Sequence, residues 1–158
     1  MKNTKRYISL LMCLIMTFSA FSSCRQKVYN ALDGATVIIN GEEVNTVEAS
    51  MGAYEGKQGD SIEFIFDEPK TINSVYVIEK TANIRQFNIY LMTDGKYKLV
   101  YTGKEVLQDY CKFNEETATA LKFTVVNTDI KNNSFIIQGI SAYRLEGDLG
   151  LTTLPAEK

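Results

Sequence analysis

The chain has no histidine and no tryptophan, only two prolines and three cysteines, and no apolar run of the length a spanning helix needs. The missing histidine removes the commonest general base and the commonest metal ligand, and with them every Ser-His or Cys-His catalytic arrangement. The missing tryptophan removes the largest aromatic platform. Cys13 lies in an apolar N-terminal stretch and Cys24 ends it, so Cys111 alone remains as a thiol in the folded part and no internal disulfide is expected. Between Tyr110 and Lys112, Cys111 shares a strand face with Phe113 and reads as a small buried hydrophobe rather than a nucleophile. Paired acids such as Asp67-Glu68 and Glu115-Glu116 are neighbours in sequence, with nothing to set them across a cleft, so the chain is not read as an enzyme. No cofactor motif and no metal-ligand set is present, and neither is expected.

What is there begins with address. Lys2, Lys5 and Arg6 precede an apolar stretch from Ile8 to Phe21, which ends in Phe21-Ser22-Ser23-Cys24. Spanning a bilayer takes roughly 20 apolar residues, more than this stretch has. The order resembles the lipobox of bacterial lipoproteins, which implies cleavage before Cys24, a diacylglycerol on its thiol and acylation of the new amino group. Read as a plain secretory peptide, the same stretch leaves Cys24 an ordinary residue. Two or three acyl chains hold a protein on a bilayer almost permanently, at about 0.8 kcal/mol per buried CH₂. Arg25 rather than Asp follows the cysteine, and Arg25-Gln26-Lys27 is not the acidic run of surface-exported lipoproteins. The expected location is therefore the bacterial envelope, lipid-anchored at the outer membrane, facing either the periplasm or the surface.

Without residues 1–23 the chain keeps 135 of its 158 residues, one domain's worth. Three of the 17 basic residues and none of the 19 acidic ones leave with the signal, giving a formal charge of −5. That balance argues against a nucleic-acid partner, whose phosphates demand a basic face. The segment 24–33 reads as a tether of at most roughly 35 Å. Residues 34–146 read as the domain, and 147–158, which mix Gly, Pro and charges without period, as a flexible tail.

Within the domain apolar residues recur at every second position and no helical stripe is found, so the expected class is all-β. Strands are expected over 36–39, 43–47, 61–66, 72–79, 85–92, 97–101, 110–113, 120–126 and 135–145. Asn40-Gly41 and Asp94-Gly95 suit tight hairpin turns. Asp67-Glu68-Pro69 reads as a strand stop. If successive strands alternate in direction, the connections 50–60, 80–84, 102–109 and 127–133 gather at one end, and 67–71, 93–96 and 114–119 at the other. The first set is longer and less turn-like, and is the better candidate for binding.

Ordered blocks from Thr71 to Tyr143 carry a resemblance: Ile72-x-x-Val75-x-Val77-x-Glu79, Ile84-Arg85-x-Phe87-x-Ile89, Asp94-Gly95-x-Tyr97-x-Leu99-Val100-x-x-Gly103, Ala120-Leu121-Lys122-Phe123 and Ile137-x-x-Ile140-x-Ala142-Tyr143. Together they resemble the coagulation factor 5/8 type C (discoidin) superfamily, in particular modules appended to bacterial alpha-L-fucosidases and family 32 carbohydrate-binding modules. The resemblance implies a galactose-binding-like jelly-roll β-sandwich and, as partner, a glycan. A Glu that helps hold a structural Ca²⁺ in that family is matched here by Gly139, and the first loop is shortened, so a family-type calcium site is not expected.

Sugar recognition combines an aromatic face with polar groups for hydroxyls. On the favoured end this selects Tyr54, Asn83, Arg85, Asn127 and Asn132 as ligand-binding candidates, with Lys104, Asp129 and Asn133 nearby. Tyr54 reads equally as a lid folded over the sandwich, and Arg85 as a structural partner of Glu79 or another acid. Asn132-Asn133-Ser134 matches a glycosylation triplet but sits between strands. The function expected is a non-catalytic, lipid-anchored binding module for carbohydrate or glycoconjugate; the alternative is a structural or protein-interaction domain of an envelope complex.

Overall fold

The computed structural model describes residues 29–44, 53–107, 109–131 and 133–146. Cys24 and the signal before it, Asn132 and the tail 147–158 lie outside the described residues. Eight strands and no helix occur among the described residues: β1 (Thr36–Ile39), β2 (Glu42–Val44), β3 (Tyr54–Lys57), β4 (Ser61–Glu79), β5 (Ile84–Thr93), β6 (Lys96–Gly103), β7 (Tyr110–Thr128) and β8 (Ser134–Tyr143). All pairings are antiparallel. The all-β sandwich expected from the period-two pattern is the fold observed.

Two 19-residue strands, β4 and β7, organise the molecule. Ser61–Ile65 of β4 lies between β1 and Ala120–Thr124 of β7, and β7 continues the layer to β5 and β6. Further along, Ser74–Glu79 pairs with β8, and Ser74–Tyr76 with Tyr110–Lys112 at the start of β7. Strand β3 then adds to the far side of β8. The two long strands thus serve both layers, one ordered β2-β1-β4-β7-β5-β6 and the other β3-β8-β4-β7.

Strand breaks expected at 67–71 and 114–119 are absent: both segments are strand, and Lys70, Thr71 and Ile72 pair with Ala118, Thr117 and Glu116. The ladder shifts register between Ile65 and Lys70, and again between Ile72 and Ser74. Such irregularities bend a strand without ending it. Pro69, which has no N–H to donate, sits in the unpaired interval of the first shift. The Asp67-Glu68-Pro69 signal therefore marks a corner where both long strands cross from one layer to the other.

Where the chain does reverse, its turns follow local chemistry. Asn40 and Gly41 have φ of 52° and 87°, and Asp94 and Gly95 have 52° and 72°. Both pairs match the left-handed central positions of a type I′ turn, which suits the twist of the flanking strands. The core follows the alternation: Ile62, Phe66, Val75, Val77, Phe87, Ile89, Leu91, Leu121, Phe123, Val125, Phe135 and Ile137 are buried. Phe87 and Phe123 meet at 5.2 Å between centroids. Each such ring contributes on the order of 2–3 kcal/mol by leaving water.

The segment expected as free tether to residue 33 is part of the folded body from Asn30 onward. Ala31 N donates to Ala142 O at 2.8 Å, the Asn30 side-chain oxygen accepts from Ala142 N at 2.9 Å, and Leu32 and Ala35 are buried in the core.

Candidate functional site

One end of the sandwich collects three turns through hydrogen bonds. Gly59 N donates to Val125 O and Val125 N to Asp60 O, which fastens the turn after β3 to β7. Lys80 N donates to Ile136 O, and Asp129 N to Asn83 O at 2.7 Å, which joins the β4–β5 turn to the segments on either side of β8's start. The gathering of 57–60, 80–83 and 129–131 at one end agrees with the alternation of strand direction. The opposite end carries the bent ladder and the Asp94-Gly95 turn, where Thr119 Oγ1 donates to Met92 O.

Glu79 builds the β4–β5 turn. Its Oε1 accepts from Thr81 Oγ1 at 2.9 Å, Asn83 N at 2.6 Å and Ile84 N at 3.1 Å, while its enclosed Oε2 has no partner. Ala82 takes a left-handed conformation, φ 52°, to close that turn. Asn83 is held in the same knot, its amide donating to Ser134 O at 2.9 Å. Arg85 follows, exposed, and donates to Ala82 O at 3.1 Å and Asp129 Oδ2 at 2.8 Å. Its acidic partner is thus Asp129, across the end, and not Glu79. The Lys131 N–H, and then the Arg85 guanidinium, hold the Asp129 carboxyl below the usual carboxylate range.

The structure brings Asn83 and Arg85 together with Asp129. Asn127 is one ladder step away, paired with Gln86, and is exposed. Asn133 accepts from Thr128 Oγ1 at 3.2 Å. Ile130, fully exposed, crowns the Asp129 turn.

Tyr54 stands in a different group. It lies in β3, a strand not anticipated inside the 50–60 connection, and its ring meets Phe135 edge-on at 6.0 Å. Its hydroxyl donates to Asp60 Oδ2 at 2.8 Å. Burial, and then the Asp60 bond and charge, push the phenol up to about 12. Burial alone would raise Asp60, but the Lys57 N–H and the Tyr54 hydroxyl outweigh it and hold that carboxyl below its ordinary value. Tyr54 is therefore a half-buried side chain committed to Asp60 and Phe135.

Among the described residues no three His, Cys, Asp or Glu side chains converge on one point. Gly139 pairs with Ile78 in the β4–β8 ladder. The Cys111 thiol is buried and pushed up to about 11 by desolvation, which keeps it protonated and unreactive at neutral pH.

Two aromatic groups lie on sheet faces rather than on loops. Tyr76, Tyr110 and Tyr143 touch on the outer face of the β8-containing layer, at 5.3 and 5.9 Å between centroids. Tyr90 and Tyr97 flank Lys122 on the outer face of the other layer. Their signal was same-face parity of neighbouring strands, which is useful only when the pairing order is known.

No protein-family model matches the chain, and no curated protein does. Solved structures do match. A putative alpha-L-fucosidase from Bacteroides thetaiotaomicron is 28% identical over 60% of this chain, with a TM-score of 0.50. The match spans only 22% of that fucosidase, so the likeness is to one part of a larger protein. A chitosan-binding module from a chitosanase/glucanase of Paenibacillus sp. IK-5 is 16% identical over 73% of this chain and 98% of its own, with a TM-score of 0.60. A family 32 carbohydrate-binding module, solved with 4,5-unsaturated mannuronic acid, is 19% identical over 61% of this chain and 80% of its own, with a TM-score of 0.50. The fold is that of carbohydrate-binding modules, as the discoidin-like blocks implied.

Proposed function

We propose that this chain is a non-catalytic carbohydrate-recognition module, lipid-anchored through Cys24 in a bacterial envelope, whose loop end contacts its glycan. One observation carries the reading: a chitosan-binding module taken from a chitosanase/glucanase matches this sandwich over 98% of its own length, so the part of that enzyme this chain resembles is its binding module. The end itself supplies suitable chemistry. Arg85 is fixed by Ala82 O and Asp129 yet exposed, Asn127 is exposed beside it, and both classes of group bond sugar hydroxyls.

The test is binding of the full chain to a broad glycan array, followed by calorimetry on positive glycans. Arg85→Ala is expected to weaken binding by about tenfold or more, as for loss of a charged hydrogen bond, with the fold unchanged. A silent array, or an Arg85→Ala affinity equal to wild type, counts against the loop-end reading. For the anchor, Cys24→Ser is expected to move the protein from the membrane fraction to the soluble one, and protease shaving of intact cells reports which side it faces.

Ile130 favours a second reading, a protein-interaction domain of an envelope complex. Its side chain stands fully exposed on the Asp129 turn, open to a partner's apolar surface. A stoichiometric cross-linked partner whose capture is lost in Ile130→Ser would support it.

A further inference from the structure

Strand pairing places three rows of side chains on the outer face of the β1-containing layer. Ser61, Thr124, Asn88 and Thr102 form the row nearest the loop end, and Glu63, Lys122, Tyr90 and Leu99 the next. Ile65, Met92 and Tyr97 form the third, over the fully buried Ala120. Their strand neighbours Ile62, Leu121, Phe123, Ile89 and Leu91 are in the core, which fixes these rows as outward. The surface they make is not flat. A cleft of about 320 Å³ opens there, lined by Gly59, Ser61, Tyr90, Tyr97, Lys122 and Thr124.

The polar groups of the cleft are arranged before any ligand arrives. Thr102 Oγ1 donates to Asn88 Oδ1 at 2.9 Å, and Asn88 Nδ2 donates to the Tyr90 hydroxyl at 3.0 Å. The Tyr90 oxygen therefore accepts, and its own proton is free to donate outward. Lys122 Nζ lies 5.1 Å from the centroid of the Tyr97 ring. None of the ion pairs among the described residues involves Lys122, although Glu63 is its ladder neighbour. Lys122 is the one charged side chain in the lining.

We infer that this cleft is a second carbohydrate site, separate from the loop end, and that it takes an acidic saccharide bearing uronate carboxylates. Tyrosines beside hydroxyl-bearing Ser61 and Thr124 suit a sugar ring's mixed apolar and polar surface. The volume is at the lower end of the range for small-ligand sites. An ammonium resting on an aromatic ring, in ion-pair contact with no carboxylate among the described residues although Glu63 lies across the ladder, is the group that distinguishes a uronate from a neutral sugar. The inference shares with the loop-end reading only the ligand class.

The test is a nuclear magnetic resonance titration of the isotope-labelled full chain with a galacturonate hexasaccharide and with its fully methyl-esterified counterpart, which keeps the rings and removes the charge. The acid is expected to shift amides near Gly59, Tyr90, Tyr97 and Lys122 and to bind about tenfold more tightly than the ester. Lys122→Gln, on the surface and similar in reach, is expected to erase that preference, while Tyr97→Ala weakens both ligands. Equal binding of acid and ester, or an unchanged preference in Lys122→Gln, overturns the inference. Shifts confined to residues 83–85 and 127–131 overturn it while leaving the loop-end reading intact, and no shift with either saccharide overturns it too, the loop-end reading then resting on the glycan array.

Discussion

Tyr54 shows how a candidate ligand group can be committed to the fold. Its hydroxyl holds Asp60, Asp60 holds the Lys57 N–H, and the Asn40 side chain reaches the same phenol at 3.4 Å. The phenol is raised from 10.0 to about 12, so between those values the unfolded chain releases the proton and the folded chain keeps it. Unfolding is then favoured by rising pH, and stability falls across that window. Urea unfolding followed from pH 9 upward, on the order of one point per half unit, is expected to show a steeper loss for wild type than for Tyr54→Phe. The mutant comparison is needed because burial also raises Tyr101 and Cys111. Sequence placed Tyr54 at the right end of the molecule but could not reveal Asp60 or Phe135 as its partners, since both contacts depend on how β3 docks.

At the scale of elements, β3 is the strand the sequence conceals. Tyr54-Glu55-Gly56-Lys57 has one aromatic, two charges and a glycine, a weak strand signature. Tertiary context supplies the reason it forms: the exposed edge of β8 pairs with it from Tyr54 to Lys57. Gly56 is required there, because a Cβ would come within 2.5 Å of the Phe135 ring and 2.7 Å of the Tyr54 ring. Gly56→Ala is expected to destabilise by about 1–3 kcal/mol, read by urea or thermal unfolding, with the Tyr54 and Phe135 resonances most displaced. The corners in β4 and β7 are the complementary case. Their Asp67, Pro69 and Asn114 are turn formers by composition, and only the partner strand, bent along with each, keeps both extended.

On the scale of the whole molecule, Asn30 ties the beginning of the domain to its end. Its side-chain oxygen accepts from Leu32 N and from Ala142 N, 112 residues later. Asn30→Ala leaves two backbone donors unsatisfied and is expected to cost about 1–2 kcal/mol, with faster hydrogen exchange at Ala142 as the local readout. Docking of residues 30–35 also shortens the leash that the proposed anchor at Cys24 would have.

Much of this was decided locally. Period-two alternation set the all-β class, the two Asn/Asp-Gly pairs set the hairpins, and alternation of direction gathered the right turns at one end, because each of these depends on a few consecutive residues. Pairing between distant segments decided the rest. Whether 67–71 breaks or bends, whether Arg85 meets Glu79 or Asp129, and which tyrosines share a face with Lys122 all turn on residues tens of positions apart, whose contacts exist only once the layers have closed.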